Sequence, residues 1–172
     1  CDASAESTAP TLAAGIQCLF SLESEMIGRA PNGSHQLVDD FRSVWSRIGP
    51  PLCDEVKAKR AVGFFLGDEL VSSGLWFDRL VLYADLVKKG CPESVVYYNE
   101  GCAPIFGMGQ PWVAAGFANA SRYFYPHVPG SLDWVSWDMY PDLFSIGGVR
   151  DFTRWTLFQK MAGHQRAVLV PP

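Results

Sequence analysis

Short, nearly all-apolar segments alternate along this chain with longer stretches of helical period, and that alternation limits the folds open to it. The apolar segments are GIQCLFSL (15–22), AVGFFLGDE (61–69), SVVYYNE (94–100), SLDWVSWDMY (131–140) and RAVLV (166–170). Strands without an inside/outside pattern are buried on both faces, as in a parallel sheet covered by helices. A helix is expected from near Ser34, a plausible N-cap, with Leu37, Val38, Phe41, Val44, Trp45 and Ile48 on one apolar face. Gly49-Pro50-Pro51 is expected to stop it, and 52–60 to form a short second helix. Leu75, Leu80, Val81, Ala84 and Val87 mark another helix over 75–89, ended by Gly90-Cys91-Pro92; Val149, Phe152, Trp155, Phe158 and Met161 mark a last one over 147–163.

The order β-α-β-α-β-(loop)-β-α-β fits either an open doubly wound sheet or part of a (β/α)8 barrel. No G-x-G-x-x-G follows a strand and no Walker A motif occurs, which removes support from nucleotide-binding versions. With 172 residues, 48% of them hydrophobic and 19% charged, the chain can bury a real core. Its net charge of −4 and lack of a long basic run argue against nucleic acid as a partner, and no apolar stretch reaches the roughly 20 residues of a membrane span. The reading divides the chain into a tail or fragment edge over 1–14 and one barrel-type domain over 15–172.

Five cysteines (Cys1, Cys18, Cys53, Cys91, Cys102) form no CxxC pair. Together with the sequons Asn32-Gly33-Ser34 and Asn119-Ala120-Ser121 they lean toward a secreted protein with some cysteines paired. The opening CDASAESTAP lacks an initiator Met, so the chain reads as processed or cut from a longer one. His35, His127 and His164 show no metal-ligand spacing, no G-x-S-x-G occurs, and neither metal nor cofactor is called for.

Four strands end in polar side chains: Glu23 and Glu25, Asp68-Glu69, Asn99-Glu100, and Asp138 with Tyr140. In a parallel α/β fold these carboxyl ends share one face, where barrels keep their catalytic groups. Strict alternation puts Gly63, Phe65, Gly67 and Glu69 on one side of their strand and Val62, Phe64, Leu66 and Asp68 on the other. The glycine-bearing side suits a crowded interior, so Glu69 is expected to point into the site and Asp68 to support it. Trp134, Ser136, Asp138 and Tyr140 share a side, while either Asn99 or Glu100 could face the site. Aromatic residues make up 13%; Trp76, Tyr98, Trp112, Trp137 and Tyr140 lie near the proposed face, where aromatic rings suit the apolar faces of sugars.

The segments VGFFLGDEL, YYNE, LDWVSWDMY and RAVLVPP together resemble successive strands of glycoside-hydrolase-type (β/α)8 TIM barrels, over roughly residues 15–171. Five strands fall short of the eight of a closed barrel, so the expected fold is an incomplete barrel or a fragment of one. The resemblance implies a glycosidase that cleaves an oligosaccharide or polysaccharide by carboxylate acid/base catalysis. Glu69 would be the proton donor and Glu100 or Asp138 the second carboxylate, with Asp68, Asn99, Tyr140 and Trp137 contacting substrate. A non-catalytic carbohydrate-binding protein on a degenerate barrel is the alternative, and an open α/β sheet of unrelated role a third.

Overall fold

A computed structural model describes residues 14–15, 17–101, 125–138 and 160–168. Its elements are β1 (Cys18–Ser21), α1 (Glu23–Met26), β2 (Ile27–Arg29), β3 (His35–Leu37), α2 (Phe41–Lys57), β4 (Ala61–Asp68), α3 (Phe77–Gly90), β5 (Val95–Gly101), β6 (Trp134–Asp138) and β7 (Arg166–Val168). Strands β1, β4, β5, β6 and β7 form one sheet in that order, each parallel to its neighbour. β2 and β3 pair as a separate antiparallel hairpin. The chain is therefore α/β with a five-stranded parallel sheet. Among the described residues strand order follows chain order, without the reversal that defines a doubly wound sheet.

All five strands that the apolar runs predict are present. The helix expected from Ser34 differs in two ways. First, 35–37 is a strand: Asn32 Oδ1 accepts from the Ser34 N–H at 3.1 Å in an Asx turn, which folds the chain back into the β2–β3 hairpin. Second, α2 begins at Phe41 and runs through Pro50 and Pro51 to Lys57, so the expected break at Gly49-Pro50-Pro51 and the separate helix over 52–60 are corrected to one helix. Interior proline costs about 3 kcal/mol or more. Here Val44, Trp45, Gly49, Leu52, Cys53 and Val56 bury one continuous stripe across the proline pair, and that burial outweighs the lost backbone bonds. The helix expected over 147–163 falls almost entirely outside the described residues.

One face of the sheet takes the helices. Phe64, Leu66, Val96 and Tyr98 are fully buried there, and Trp45 of α2 meets Phe64 edge-on at 5.3 Å. The Tyr83 hydroxyl of α3 donates to the Leu66 carbonyl at 3.3 Å. Lys88, in the last turn of α3, binds Asp133 at 2.8 Å, and Asp133 also accepts from the Val96 N–H, so the helix end is tied to the starts of β5 and β6. α2 and α3 approach closely because Gly49 and Gly90 leave room for the Trp45 indole: a Cβ on Gly90 would lie 2.5 Å from Trp45 Nε1. Gly90→Ala is expected to cost about 2 kcal/mol through overpacking, read as a lower urea midpoint at unchanged slope.

Cys18 is disulfide-bonded, whereas Cys53 and Cys91 are free and buried. Burial, reinforced by the neighbouring Cys91, pushes the Cys53 thiol up to about 12, so it is an inert core thiol at neutral pH. No helix among the described residues is long and apolar enough to cross a membrane.

Candidate functional site

The opposite face of the sheet is half-polar and layered. Parallel register places Phe65, Tyr97 and Trp134 side by side, and then Asp68, Asn99 and Ser136 one layer nearer the carboxyl ends. Phe65 and Tyr97 stack at 5.2 Å between ring centroids. The next layer is a hydrogen-bonded network. Asn99 Nδ2 donates to Asp68 Oδ1 at 2.6 Å and to Asp138 Oδ2 at 3.1 Å. Asn99 Oδ1 accepts from the Ser136 hydroxyl, which in turn shares a 2.6 Å hydrogen bond with the Tyr97 hydroxyl. Asn99 is thus the bridge between two carboxylates on neighbouring strands, and the choice between Asn99 and Glu100 falls to Asn99.

Asp68 reaches this network through an irregularity in β4. Phe65 pairs with Tyr97 and Asp68 with Asn99, so three steps along β4 match two along β5. The extra residue is a β-bulge, and a bulge reverses the alternation beyond it. The expectation that Asp68 faces away from the site is therefore corrected: Asp68 shares the side of Phe65. Gly67 makes the bulge possible, with φ +144° and a position where a Cβ would come within 2.9 Å of Leu70 and 3.1 Å of Glu23 Oε2. Glu23, just past β1, accepts from the Asp68 N–H at 3.0 Å and pins the bulge from the neighbouring strand.

Glu69 follows immediately, in a left-handed conformation at φ +45°. Non-glycine residues in that region carry strain of about 1–3 kcal/mol and concentrate at functional sites. The backbone is held on both sides: Glu69 N–H donates to the Asn99 carbonyl at 3.1 Å, and its own carbonyl accepts from the Ser73 N–H at 2.7 Å. The carboxyl lies over Gly101, where a Cβ would be 3.0 Å from Glu69 Oε1. Gly101 is the register partner of Asp138. The Glu69 pKa is raised from the ordinary carboxyl value, first by burial and then by the charges of Asp138 and Asp68. Glu69, Asp68 and Asp138 thus converge at the carboxyl ends of β4 and β6, the two strands that flank β5, with Glu69 the group biased toward the protonated form.

Comparison with known protein families, curated proteins and solved structures returned no match. The chemistry therefore rests on the side chains themselves.

The other candidates fall elsewhere. Glu100 lies on the helix side of the sheet, 0% exposed. It accepts from the backbone N–H groups of Val71 (3.2 Å), Ser72 (3.2 Å) and Gly101 (2.8 Å) and from the hydroxyls of Tyr98 and Tyr125. Burial raises its pKa while these hydrogen bonds oppose the rise. With backbone and hydroxyl donors around it and no opening to solvent, Glu100 anchors the 69–74 loop from below; the expectation of a second catalytic carboxylate there gives way to this role. Trp137 is likewise displaced: it is 4% exposed and belongs to the hydrophobic core, on the side away from Ser136 and Asp138, so it offers no ring to a ligand. Tyr140 lies outside the described residues. Among the described residues no group of three or more His, Cys, Asp or Glu side chains has the arrangement of a metal site.

Sequence reasoning passed over Glu23 as a bulge clamp and Ser136 as the group that orients Asn99. Each carried a signal: Glu23 stands at the carboxyl end of the adjacent strand, and Ser136 is the polar residue two before Asp138 on its face.

Proposed function

We propose that the protein is a carbohydrate-active enzyme of the glycoside-hydrolase type, with Glu69 as proton donor, on a fold that corresponds to part of a (β/α)8 barrel. One observation carries the reading. A half-buried glutamate, its pKa raised by burial and by two neighbouring carboxylates, sits in strained backbone at the carboxyl end of a parallel strand. Glycoside hydrolysis calls for one carboxyl kept protonated and a second held as carboxylate nearby. Asp138 is the favoured second group, since Asn99 fixes it and it heads the two carboxylates acting on Glu69. Strand order without reversal supports the barrel over the doubly wound sheet. The Cys18 disulfide supports an extracytoplasmic, secreted setting.

In the proposed reaction Glu69 gives its proton to the glycosidic oxygen as the bond to the anomeric carbon breaks. Asp138 either attacks that carbon or takes a proton from the attacking water. A carboxyl separation of roughly 5–5.5 Å would favour retention and roughly 6.5–9.5 Å inversion.

The test is hydrolysis of aryl glycosides and oligosaccharides by the parent protein, beside ligand binding measured by calorimetry. Turnover supports the reading. Binding without turnover shifts it to a carbohydrate-binding protein, and absence of both removes it. Asn99→Ala frees Asp68 and Asp138 from their common donor and is expected to lower kcat about tenfold with little change in KM, because the loss falls on positioning.

A further inference from the structure

Two cavities flank the β2–β3 hairpin, and His35 lines both of them. One, of about 490 Å³, includes Glu23 and Arg29; the other, of about 600 Å³, includes Phe41, Trp76 and Arg79. Both fall within the roughly 300–1,000 Å³ of small-molecule sites. The first adjoins the carboxylate cluster, because Glu23 is the residue whose Oε2 clamps Asp68. Glu23 thus borders both the Asp68 backbone and the first cavity, and His35 borders both cavities.

The walls of this path suit a sugar chain. His35 Nδ1 is buried with no hydrogen-bond partner, an arrangement that costs free energy until something fills it. Burial, then the charge of Arg29, lowers the His35 pKa, so the ring is neutral at pH 7 and its nitrogens offer one donor and one acceptor. A hydroxyl, which both donates and accepts, can meet either role. Trp76 keeps 38% of its surface exposed beside Arg79, giving a flat apolar ring with a polar rim. A pyranose presents the matching pair, a C–H face and a rim of hydroxyls. The first cavity is lined by Glu23 and Arg29 and the second by Asp39 and Arg79, so neither lining carries a net charge that would select an ion.

The frame is fixed before any ligand arrives. His35 N–H donates to the Ser73 carbonyl at 2.7 Å, which locks the hairpin to the 69–74 loop, and Val38 N–H donates to the Met26 carbonyl at 3.0 Å. Such preorganisation reduces the cost of binding.

We propose that the two cavities joined at His35 form one extended track for a neutral oligosaccharide, running from the Asp68–Glu69–Asp138 cluster past His35 to Trp76. This rests on the carbohydrate reading above and adds where a chain substrate would lie and which side chains would read its length.

The test uses the whole protein with His35→Ala and Trp76→Ala, and the milder His35→Asn and Trp76→Phe in case either alanine variant fails to fold. kcat/KM is measured on aryl monoglycosides and on neutral oligosaccharides of increasing length, while His35 imidazole resonances are followed by NMR during oligosaccharide titration. Each alanine variant is expected to lose about tenfold on the longer chains and much less on monoglycosides, with the milder variants between. His35 resonances are expected to shift with chains and stay still with monosaccharides. Oligosaccharide turnover with unmoved His35 resonances, or equal losses at every length, overturns the track while leaving the glycosidase reading intact. Absence of both turnover and binding for every sugar overturns the two together.

Discussion

Glu69→Gln is expected to lower kcat by about a hundred- to ten-thousand-fold on substrates with poor leaving groups, the range a positioned general acid contributes. Gln keeps the shape and hydrogen-bonding reach of the side chain but has no proton to give. Aryl glycosides whose leaving group needs no protonation should suffer far less in bond cleavage, so the ratio of the two losses identifies a proton donor. A uniform loss on both would point to damaged binding, and an unaffected rate would make Glu69 a strand-end acid and move the chemistry elsewhere.

The same variant has a stability signature of definite sign. The folded-state pKa of Glu69 lies above its unfolded value, so the native state holds the proton more tightly. Stability then falls as pH rises from the ordinary carboxyl value through the folded value, and levels off beyond it. Gln escapes that loss. Thermal scans should find Glu69→Gln at or above the parent Tm at neutral pH, with the difference closing at a pH below the ordinary carboxyl value of 4.5. A variant that is inactive yet no less stable is the expected mark of a site held against its own electrostatic cost.

Glu100→Ala is expected to be the most destabilising single change at the site, by about 3–5 kcal/mol. It strands the Ser72 and Gly101 N–H groups and the Tyr98 and Tyr125 hydroxyls in a place closed to solvent, and leaves the Val71 N–H with only the Tyr98 hydroxyl. A drop in Tm of about 10 °C or more follows for a chain of this size. Activity measured well below the new Tm should also fall, because the 69–74 loop that Glu100 holds carries Glu69. Glu100→Gln should lie between the two, since its oxygen still accepts while its amide faces a donor. Little change in Tm for either variant would mean that water replaces the carboxylate and that the loop keeps its shape without it.

Much of this was legible in the chain before any coordinates. Strands covered by helices on one side and packed into a sheet show as apolar runs, and parallel strands send their polar ends to one face, so Asp68-Glu69, Asn99-Glu100 and Asp138 could be grouped from their positions alone, with the choice between Asn99 and Glu100 left open. What stayed hidden depends on contacts between distant segments. The bulge at Gly67 looks in sequence like any strand glycine; only the pairing with β5 reveals the extra residue. The proline pair in α2 gives a strong local stop signal that a buried stripe on both sides overrides. The β2–β3 hairpin has three residues per strand, too few for a period to show. Trp137 is different, since its alternation with Ser136 and Asp138 already placed it on the other side; its aromatic character drew it wrongly toward the ligand.

The bulge in β4 works on the faces of a strand much as a frameshift works on codons. An extra residue at Gly67 brings two successive acids, Asp68 and Glu69, to bear on one cluster, where a regular strand would send them to opposite sides of the sheet. Deleting Gly67 would restore the regular phase, leaving Asp68 on the side of Phe65 and turning Glu69 to the other, without altering either side chain. A single-residue insertion in an ordinary strand, followed by two acids, is thus a short evolutionary path from a plain sheet edge to a paired-carboxyl site.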